Sequence, residues 1–318
     1  MRRRATSLGA VLIAALLSPA AVAIGPAAAS PPSSDRPVAP TLTVTRELGL
    51  YAGPRIGALR LDGTAIVKEG AVSAPWGGIQ HDAVSALSLA GNRIGVLLTD
   101  GRALVKEGQP DASWVEEYRG AVKLRLDAGR GRIGVVTSDG LALVKEGGLG
   151  ASWVVVADYV SDLVLSGDRI AVLRRDRTVW VKQGGLDASW DTGVADQVAQ
   201  VVLSGYRIGV VRTDGRVWVK EGSVGASWDY GVATGVRQLA MSGYRIGVVR
   251  TDGRVWVKEG SVSALWNYGI ATDVSELALT GTRVGVLRTN QTVWVKEGGL
   301  DASWDTGVAD YTRQICLT

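Results

Sequence analysis

Seven lysine–glutamate or lysine–glutamine pairs recur along this sequence, and their carboxylates are the first groups to consider for catalysis. The string Val-Lys-Glu-Gly, once Val-Lys-Gln-Gly, recurs at intervals of 38, 39, 37, 38, 38 and 38 residues. It begins at Val67, Val105, Val144, Val181, Val219, Val257 and Val295. Glycoside hydrolysis needs two carboxyl groups in different environments. Because the repeat gives each glutamate nearly the same surroundings, we expect a belt of ion pairs between units rather than a catalytic pair.

Residue counts argue against the other common catalytic and metal sites. The chain has one histidine, His81, and one cysteine, Cys316. A serine or cysteine triad needs a histidine beside its nucleophile, and a zinc site needs several histidine or cysteine ligands. No glycine-rich phosphate loop follows a strand and opens a helix. We therefore predict a protein that binds rather than catalyses, with no metal and no cofactor, in which Cys316 is a small apolar residue of a strand.

Aromatic side chains are the candidates for binding, because they offer large apolar faces beside polar groups. One tryptophan closes each unit: Trp76, Trp114, Trp153, Trp190, Trp228, Trp266 and Trp304. A second tryptophan lies beside the repeated valine and lysine in the last four units only: Trp180, Trp218, Trp256 and Trp294. The first three units carry Ile66, Leu104 and Leu143 there. Two interpretations fit this difference: looser packing in older repeats, or a stacking surface on one half of the molecule.

The candidate ligand-binding set combines both kinds of tryptophan with two tyrosines. The closing tryptophans also suit packing between units, since they never vary. Tyr206 and Tyr244 occupy turns where other units have Asn92, Asp168 or Thr282, and a tyrosine there gives no evident benefit to folding. The full set is Trp180, Trp190, Trp218, Trp228, Trp256, Trp266, Trp294, Trp304, Tyr206 and Tyr244.

Short β-strands must position these residues. In the sixth unit, an apolar strand precedes the β-branched strand Arg245–Thr251, and Asp252-Gly253 predicts a two-residue type I′ hairpin. Arg254–Lys258 is a third strand, and a fourth follows Trp266. Four antiparallel strands in each of seven units of about 38 residues, without helical periodicity, predict an all-β fold, a seven-bladed β-propeller. An extended solenoid is the alternative, but its end units should be polar caps.

Two further details concern how the blades meet. Residues 313–318 align with 275–280, so we predict that the C-terminal strand completes blade 1, with residues 42–51 as the alternative. A glycine inside most second strands, such as Gly209, indicates close approach of a neighbouring side chain. We expect that side chain to be a tryptophan of the same or the next blade. Blade 4 has Ala171 at this position.

The N-terminal residues and the net charge indicate where the protein is located. Residues 1–29 read as a secretory signal peptide, with arginines at positions 2 to 4 before an apolar stretch. A retained anchor is the less favoured alternative, because Pro19 breaks a short stretch. Residues 30–41 read as a Pro/Ser-rich linker and 42–318 as one propeller domain. Without residues 1–29, the 35 basic residues fall to 32 against 31 acidic ones, a net charge of +1 instead of +4. We therefore expect a secreted protein with no membrane span and no nucleic-acid partner.

The segment Arg245–Trp266, RIGVVRTDGRVWVKEGSVSALW, resembles the tectonin repeat. The resemblance lies in the Asp-Gly turn, the third strand and the closing tryptophan, and it extends over all seven repeats. It implies a propeller lectin for sugars or lipopolysaccharide, in some members with pockets between neighbouring blades. A fainter resemblance is to secreted bacterial propeller lectins of umbrella-type toxin particles.

We therefore expect a secreted, multivalent lectin that recognises cell-surface or environmental glycans. The alternative is a protein-binding scaffold, or a lectin adaptor subunit of a secreted, toxin-particle-like complex.

Overall fold

The computed structural model describes residues 53–318, and its 28 strands form seven antiparallel sheets of four strands each. These sheets are the blades of a seven-bladed β-propeller, as the repeats predicted. Residues 1–29, 30–41 and 42–52, with the signal peptide and linker predicted there, lie outside the described residues. Within residues 53–318, no helix has the length and apolar character needed to cross a membrane.

The second strands of the blades are almost wholly buried, whereas the first strands alternate between buried and partly exposed residues. The first strands of blades 2 to 7 and then of blade 1 are β4 (Val84–Ala90), β8 (Ala121–Asp127), β12 (Val160–Ser166), β16 (Val198–Ser204), β20 (Val236–Ser242), β24 (Val274–Leu279) and β28 (Thr312–Leu317). The second strands of blades 1 to 7 are β1 (Arg55–Arg60), β5 (Arg93–Leu98), β9 (Arg132–Thr137), β13 (Arg169–Arg174), β17 (Arg207–Arg212), β21 (Arg245–Arg250) and β25 (Arg283–Arg288).

The third and fourth strands complete each blade toward its outer edge. The third strands of blades 1 to 7 are β2 (Ala65–Glu69), β6 (Ala103–Glu107), β10 (Ala142–Glu146), β14 (Val179–Gln183), β18 (Val217–Glu221), β22 (Val255–Glu259) and β26 (Val293–Glu297). The fourth strands are β3 (Ile79–His81), β7 (Val115–Tyr118), β11 (Val154–Ala157), β15 (Asp191–Ala195), β19 (Asp229–Ala233), β23 (Asn267–Ala271) and β27 (Asp305–Ala309).

The first strands surround a central channel, and the C-terminal strand closes the ring. Residues of β4, β20, β24 and β28 line one cavity of about 800 Å³. The sheet of blade 1 has the order β28-β1-β2-β3. Arg55 and Thr318 hold its edge, because each backbone N–H bonds the other residue, at 2.9 and 3.1 Å. The predicted closure by the C-terminal strand is therefore confirmed, and the solenoid alternative is wrong.

Pairs of aliphatic side chains, mostly leucines, face the glycines of the second strands, and tryptophans do not. A Cβ atom added to Gly209 would lie 2.6 Å from Leu239 Cδ2 and 3.0 Å from Met241 Cε of the next blade. Blade 4 accommodates Ala171 at this position, and there the facing residue is the smaller Val201 in the same buried cluster. The expectation of a tryptophan was wrong, because the first strand of the next blade lies directly against these glycines.

The Asp-Gly turns also differ from the predicted two-residue hairpin. Gly253 N–H donates to the Arg250 carbonyl at 3.0 Å, and Arg250 N–H to the Arg254 carbonyl at 2.9 Å. Of the two turn residues, only Gly253 has a positive φ, 77°. The loop is therefore a three-residue connection with a type I turn and a left-handed glycine. The carboxylate of Asp252 favours it by accepting the N–H of Arg254 at 3.0 Å.

Glutamines join three of the seven neighbouring pairs of first strands along the wall of the channel. Gln238 accepts the backbone N–H of Leu277 at 2.8 Å and donates to the carbonyl of the same residue at 3.1 Å. Glu276 takes this position in blade 7, where its Oε2 accepts the N–H of Ile315 in β28 at 3.1 Å. Burial raises the pKa of Glu276 to about 7. Only the protonated carboxyl can also donate a hydrogen bond as glutamine does, so the closing junction contains an ionisable contact.

Replacing Gly209 by alanine should destabilise the protein by about 1–3 kcal/mol, because its methyl group would overlap Leu239. Combining Gly209→Ala with Leu239→Val should cost less than the sum of the two single changes, since it reproduces the pair Ala171 and Val201. Denaturant unfolding of the four proteins gives this coupling energy. Strictly additive effects would show that the two side chains do not compete for the same space.

The stability of the ring should fall as the pH rises from about 5 to about 8. Folded Glu276 has a pKa above the value of 4.5 for a free glutamate. The folded state therefore binds its proton more tightly than the unfolded state does, and the stabilisation, on the order of 3 kcal/mol, is full below pH 4.5 and is lost through pH 7. Urea unfolding across this range should show a flatter profile for Glu276→Gln.

A matched variant tests whether position or residue type causes this pH dependence. Gln238→Glu places the same carboxyl at the junction of blades 6 and 7, and should steepen the fall in unfolding free energy over the same pH window. If Glu276→Gln keeps the wild-type profile, ionisation of Glu276 does not govern it.

Candidate functional site

A ring of buried arginines joins the blades beneath the surface. Arg207 opens the second strand of blade 5, and its guanidinium donates to the Gly260 carbonyl of blade 6 and, at 3.2 Å, to the Gly243 carbonyl. Its Nε donates to Glu221 of its own blade. The same pattern links the equivalent arginine of every blade to a glycine carbonyl of the next blade; these are Arg55, Arg93, Arg132, Arg169, Arg207, Arg245 and Arg283.

The predicted belt of lysine–glutamate ion pairs between blades is therefore wrong, because arginine and not lysine is the partner of the glutamate. The glutamate pairs with the arginine of its own blade, and the arginine alone reaches across. Blade 4 has Gln183 in place of glutamate, and it accepts from Arg169 at 3.2 Å. Lys145 and Glu117 are the exception, an ion pair between two blades in which both side chains are 2% exposed.

Each repeated lysine instead supports the closing tryptophan of its own blade. The ammonium of Lys220 lies 4.6 Å from the ring centroid of Trp228 and donates to the Val224 carbonyl. Burial lowers the pKa of Lys220. On the other side, Trp228 Nε1 donates to the Val194 carbonyl of the preceding blade at 3.3 Å. Each closing tryptophan therefore lies in the cleft between two blades and bonds across it.

The third-strand tryptophan lies in the same cleft, beside the closing one. Trp218 and Trp228 have ring centroids 6.2 Å apart, and the guanidinium carbon of Arg212 lies 4.1 Å from the Trp218 ring. Arg212 in turn donates to Asp196 of the preceding blade at 2.8 Å. One face of Trp218 is therefore covered by a cation that is itself held by the neighbouring blade.

Blades 5 and 6 add an exposed tyrosine to this pair. Tyr230 meets Trp218 edge-on with centroids 4.9 Å apart and is 69% exposed, and Tyr268 meets Trp256 at 4.8 Å and is 65% exposed. We call these groups the blade 5 cluster (Trp218, Trp228, Tyr230) and the blade 6 cluster (Trp256, Trp266, Tyr268). Blades 4 and 7 have threonine in place of the tyrosine.

The structure brings part of the predicted site together. The eight tryptophans pair within four clefts: Trp180 with Trp190, Trp218 with Trp228, Trp256 with Trp266 and Trp294 with Trp304. Tyr206 and Tyr244 are separate from these pairs, since they are turn residues between first and second strands, 65% and 53% exposed. Sequence reasoning missed Tyr230 and Tyr268, although each follows a closing tryptophan by two residues.

The described residues do not gather a metal site. Among residues 53–318, no group of three or more histidine, cysteine, aspartate or glutamate side chains could hold a metal ion. His81 packs edge-on against Trp114 with centroids 5.8 Å apart. Cys316 donates to the Leu87 carbonyl at 3.2 Å, and burial raises the pKa of its thiol. These side chains serve the contacts between blades.

Comparisons with known proteins establish the propeller fold. Neither a protein-family model nor a curated protein matches the sequence. Among solved structures, PorZ, a surface component of the type-IX secretion system of Porphyromonas gingivalis, is similar with a TM-score of 0.57 and 13% identity over 77% of this chain. This chain spans 36% of that protein's length.

Two yeast propellers are similar over most of their own length. RCC1 (Prp20) of yeast, solved bound to Kap60, gives a TM-score of 0.57 at 8% identity over 79% of this chain and 81% of its own. Hsv2 of Kluyveromyces lactis gives 0.53 at 12% identity over 80% and 95%. At such identities the likeness concerns the fold alone. The resemblance to tectonin lectins therefore stays a prediction.

Proposed function

We propose that this chain is a secreted, multivalent carbohydrate-binding protein that binds glycans in the clefts between blades and catalyses no reaction. The observation that carries the proposal is the pair of exposed tyrosines, Tyr230 and Tyr268, each held in a fixed orientation by a tryptophan edge. A mostly exposed aromatic ring contributes little to folding, but it suits stacking on the apolar face of a sugar ring.

Polar groups around the blade 5 cluster supply the second requirement of a sugar site. Asp196 and Gln197 of the preceding blade both accept hydrogen bonds from Arg212, at 2.8 and 2.9 Å, and keep further acceptor capacity for hydroxyl groups. An aromatic face beside a few fixed polar groups is the usual composition of small-ligand sites. In this proposal the tyrosine is the stacking face, and Trp218 holds it in place.

Repetition around the ring supports multivalent binding. Residues 207–224 and 245–262 are identical at all 18 positions, so blades 5 and 6 share the third-strand tryptophan and the arginine that covers it. Recent duplication explains this identity equally well. The polar groups differ, because Thr234 and Gly235 stand beside the blade 6 cluster where Asp196 and Gln197 stand beside the blade 5 cluster. Several weak sites on one rigid ring raise the overall affinity for a glycan-covered surface through effective concentration.

A protein-binding scaffold is the second candidate. Tyr206 and Tyr244 lie in equivalent turns of adjacent blades and are largely exposed. Tyrosine is enriched in protein interfaces. RCC1 (Prp20) of yeast, which has a similar fold, was solved with Kap60 bound to it. A protein that co-purifies from the secreted fraction, together with an empty glycan array, would favour this candidate.

Removing both exposed rings, with Tyr230→Ala and Tyr268→Ala, should weaken binding at two sites severalfold and leave the fold intact. The loss per site should be on the order of 1 kcal/mol, the typical contribution of an aromatic contact. The measurement is calorimetric titration with the soluble oligosaccharide that gives the strongest signal on a glycan array, because a monovalent ligand avoids avidity. The matched control, Tyr206→Ala with Tyr244→Ala, removes two other exposed tyrosines and should leave the affinity unchanged. Equal affinity in the Tyr230→Ala, Tyr268→Ala variant and in the unaltered protein would contradict the proposed stacking role.

The tryptophans behind these tyrosines can be tested separately. Trp218→Leu and Trp256→Leu introduce the residue that blades 2 and 3 carry at this position, so the fold should survive. Affinity should fall, because Tyr230 and Tyr268 lose the edge contact that orients them. Unchanged affinity and site number in this double variant would assign the two tryptophans to packing alone.

A further inference from the structure

The cleft between blades 7 and 1 differs from those of blades 4 to 7 because it is not filled. Blade 1 carries Ile66 where blades 4 to 7 carry the third-strand tryptophan. A cavity of about 600 Å³ opens there, with Arg60, Asp62 and Trp76 on one side and Asp310 and Tyr311 on the other. This volume lies within the range of small-molecule sites.

Trp76, the closing tryptophan of blade 1, lines this cavity. Each of the other six closing tryptophans has an aromatic neighbour among the described residues, whether a tryptophan, His81 or Tyr118. Trp76 has none within residues 53–318. Its Nε1 is bonded to the Val308 carbonyl at 3.1 Å and Lys68 lies 4.9 Å from its ring centroid, so the indole is fixed while it lines the cavity.

Arg60 lacks both kinds of partner that Arg174, Arg212 and Arg288 have, a tryptophan ring and an aspartate. Arg212 lies on Trp218 at 4.1 Å and donates to Asp196 at 2.8 Å. Blade 1 has Ile66 in place of the tryptophan. Within residues 53–318, the guanidinium of Arg60 makes no hydrogen bond or ion pair, and its Nε is buried. The Nε atoms of Arg174 and Arg288 are also buried without a partner, but the terminal nitrogens of those two residues are paired with aspartates. Asp310, the counterpart of Asp196, is likewise in no ion pair there. Among the described residues, the cavity therefore holds one cation and one carboxylate that have no ion-pair partner.

These groups define a ligand chemistry. A buried guanidinium nitrogen without a partner is unfavourable, and a carboxylate can satisfy it by two parallel hydrogen bonds. The indole of Trp76 and the exposed ring of Tyr311 offer apolar faces to a ligand. The carboxylates of Asp62 and Asp310 at the rim can only accept hydrogen bonds, so they suit ligand groups that donate, such as hydroxyls. Two rim carboxylates also repel a ligand with several negative charges, which disfavours an acidic peptide.

We propose that the cleft between blades 7 and 1 binds a sugar residue that carries one carboxylate, with Arg60 bonding the carboxylate, Trp76 lining the ring face, and Asp310 accepting from hydroxyls. The site occurs once per ring and differs in charge from the blade 5 and blade 6 clusters. The proposal takes from the proposed function only the assumption that the ligand is a sugar.

The test uses methyl glycosides of glucuronate, galacturonate and N-acetylneuraminate, each compared with its carboxyl methyl ester by calorimetric titration of the full chain. At least one acid should bind at one site per chain, and its ester should bind about tenfold more weakly or worse, because it loses a charge-assisted contact. Arg60→Gln should remove this preference for the acid.

Ile66→Trp introduces, beside Trp76, the residue that blades 4 to 7 carry at this position. If the added indole covers Trp76 and Arg60 as it does in those blades, binding of the acid should be abolished. The matched control Leu104→Trp makes the same change in blade 2 and should leave binding intact. If Ile66→Trp fails to fold, Arg60→Gln still decides the matter. Equal binding of acid and ester, binding of none of the acids, or competition by tri-glutamate at the same affinity would each overturn the proposal. Neutral glycans that still bind the blade 5 and blade 6 clusters would leave the proposed function standing.

Discussion

The bond from each buried arginine to a glycine carbonyl of the next blade is the contact on which the ring depends. It occurs at all seven junctions, and it joins the start of one second strand to the end of the next blade's third strand. A guanidinium that is buried in this way needs a carboxylate and carbonyls around it to offset its desolvation. The glutamate of the same blade and the glycine carbonyls provide them. In each blade the glycine directly follows the glutamate, or the glutamine of blade 4, in the repeated tetrapeptide. The glutamate accepts from the arginine of its own blade, and the glycine carbonyl accepts from the arginine of the preceding blade.

The arginine ring leaves the outer part of each cleft free to vary. There the blades meet through the closing tryptophan, which is held by lysine on one side and by a carbonyl of the preceding blade on the other. What fills the remaining space differs from blade to blade: two indoles under an arginine in blades 4 to 7, an added tyrosine in blades 5 and 6, and open space beside Trp76. The arginine contacts are the same at every junction, and the side chains in the outer part of the cleft vary. This arrangement suits the glycan binding that we propose, because a rigid support can hold sites that differ from cleft to cleft.

Periodicity predicted the blades, their strands and the closure by β28, because those depend on patterns within about 40 residues. Contacts between blades could not be predicted in the same way. The contact of Leu239 with Gly209 and the covering of Trp218 by Arg212 both depend on side-chain directions that spacing alone does not give. Ile66 was visible as a departure from the repeat, but its meaning required the positions of Arg60, Trp76 and Asp310, which come from opposite ends of the domain.

The near-identity of blades 5 and 6 has a cost during folding, because outer surfaces that look alike do not tell a blade which neighbour is correct. A chain that paired one of these blades out of order, or with the same blade of a second molecule, would form nearly the same arginine, lysine and tryptophan contacts. The wall of the channel carries the distinguishing information. Ala86, Lys123, Asp162 and Glu276 interrupt the series of glutamines there, and Arg125 of blade 3 meets Asp162 of blade 4 at 2.8 Å. Side chains of the first strands therefore distinguish one junction from another and favour the correct order of the blades. The repeated arginine, lysine and tryptophan contacts stabilise any two neighbouring blades equally.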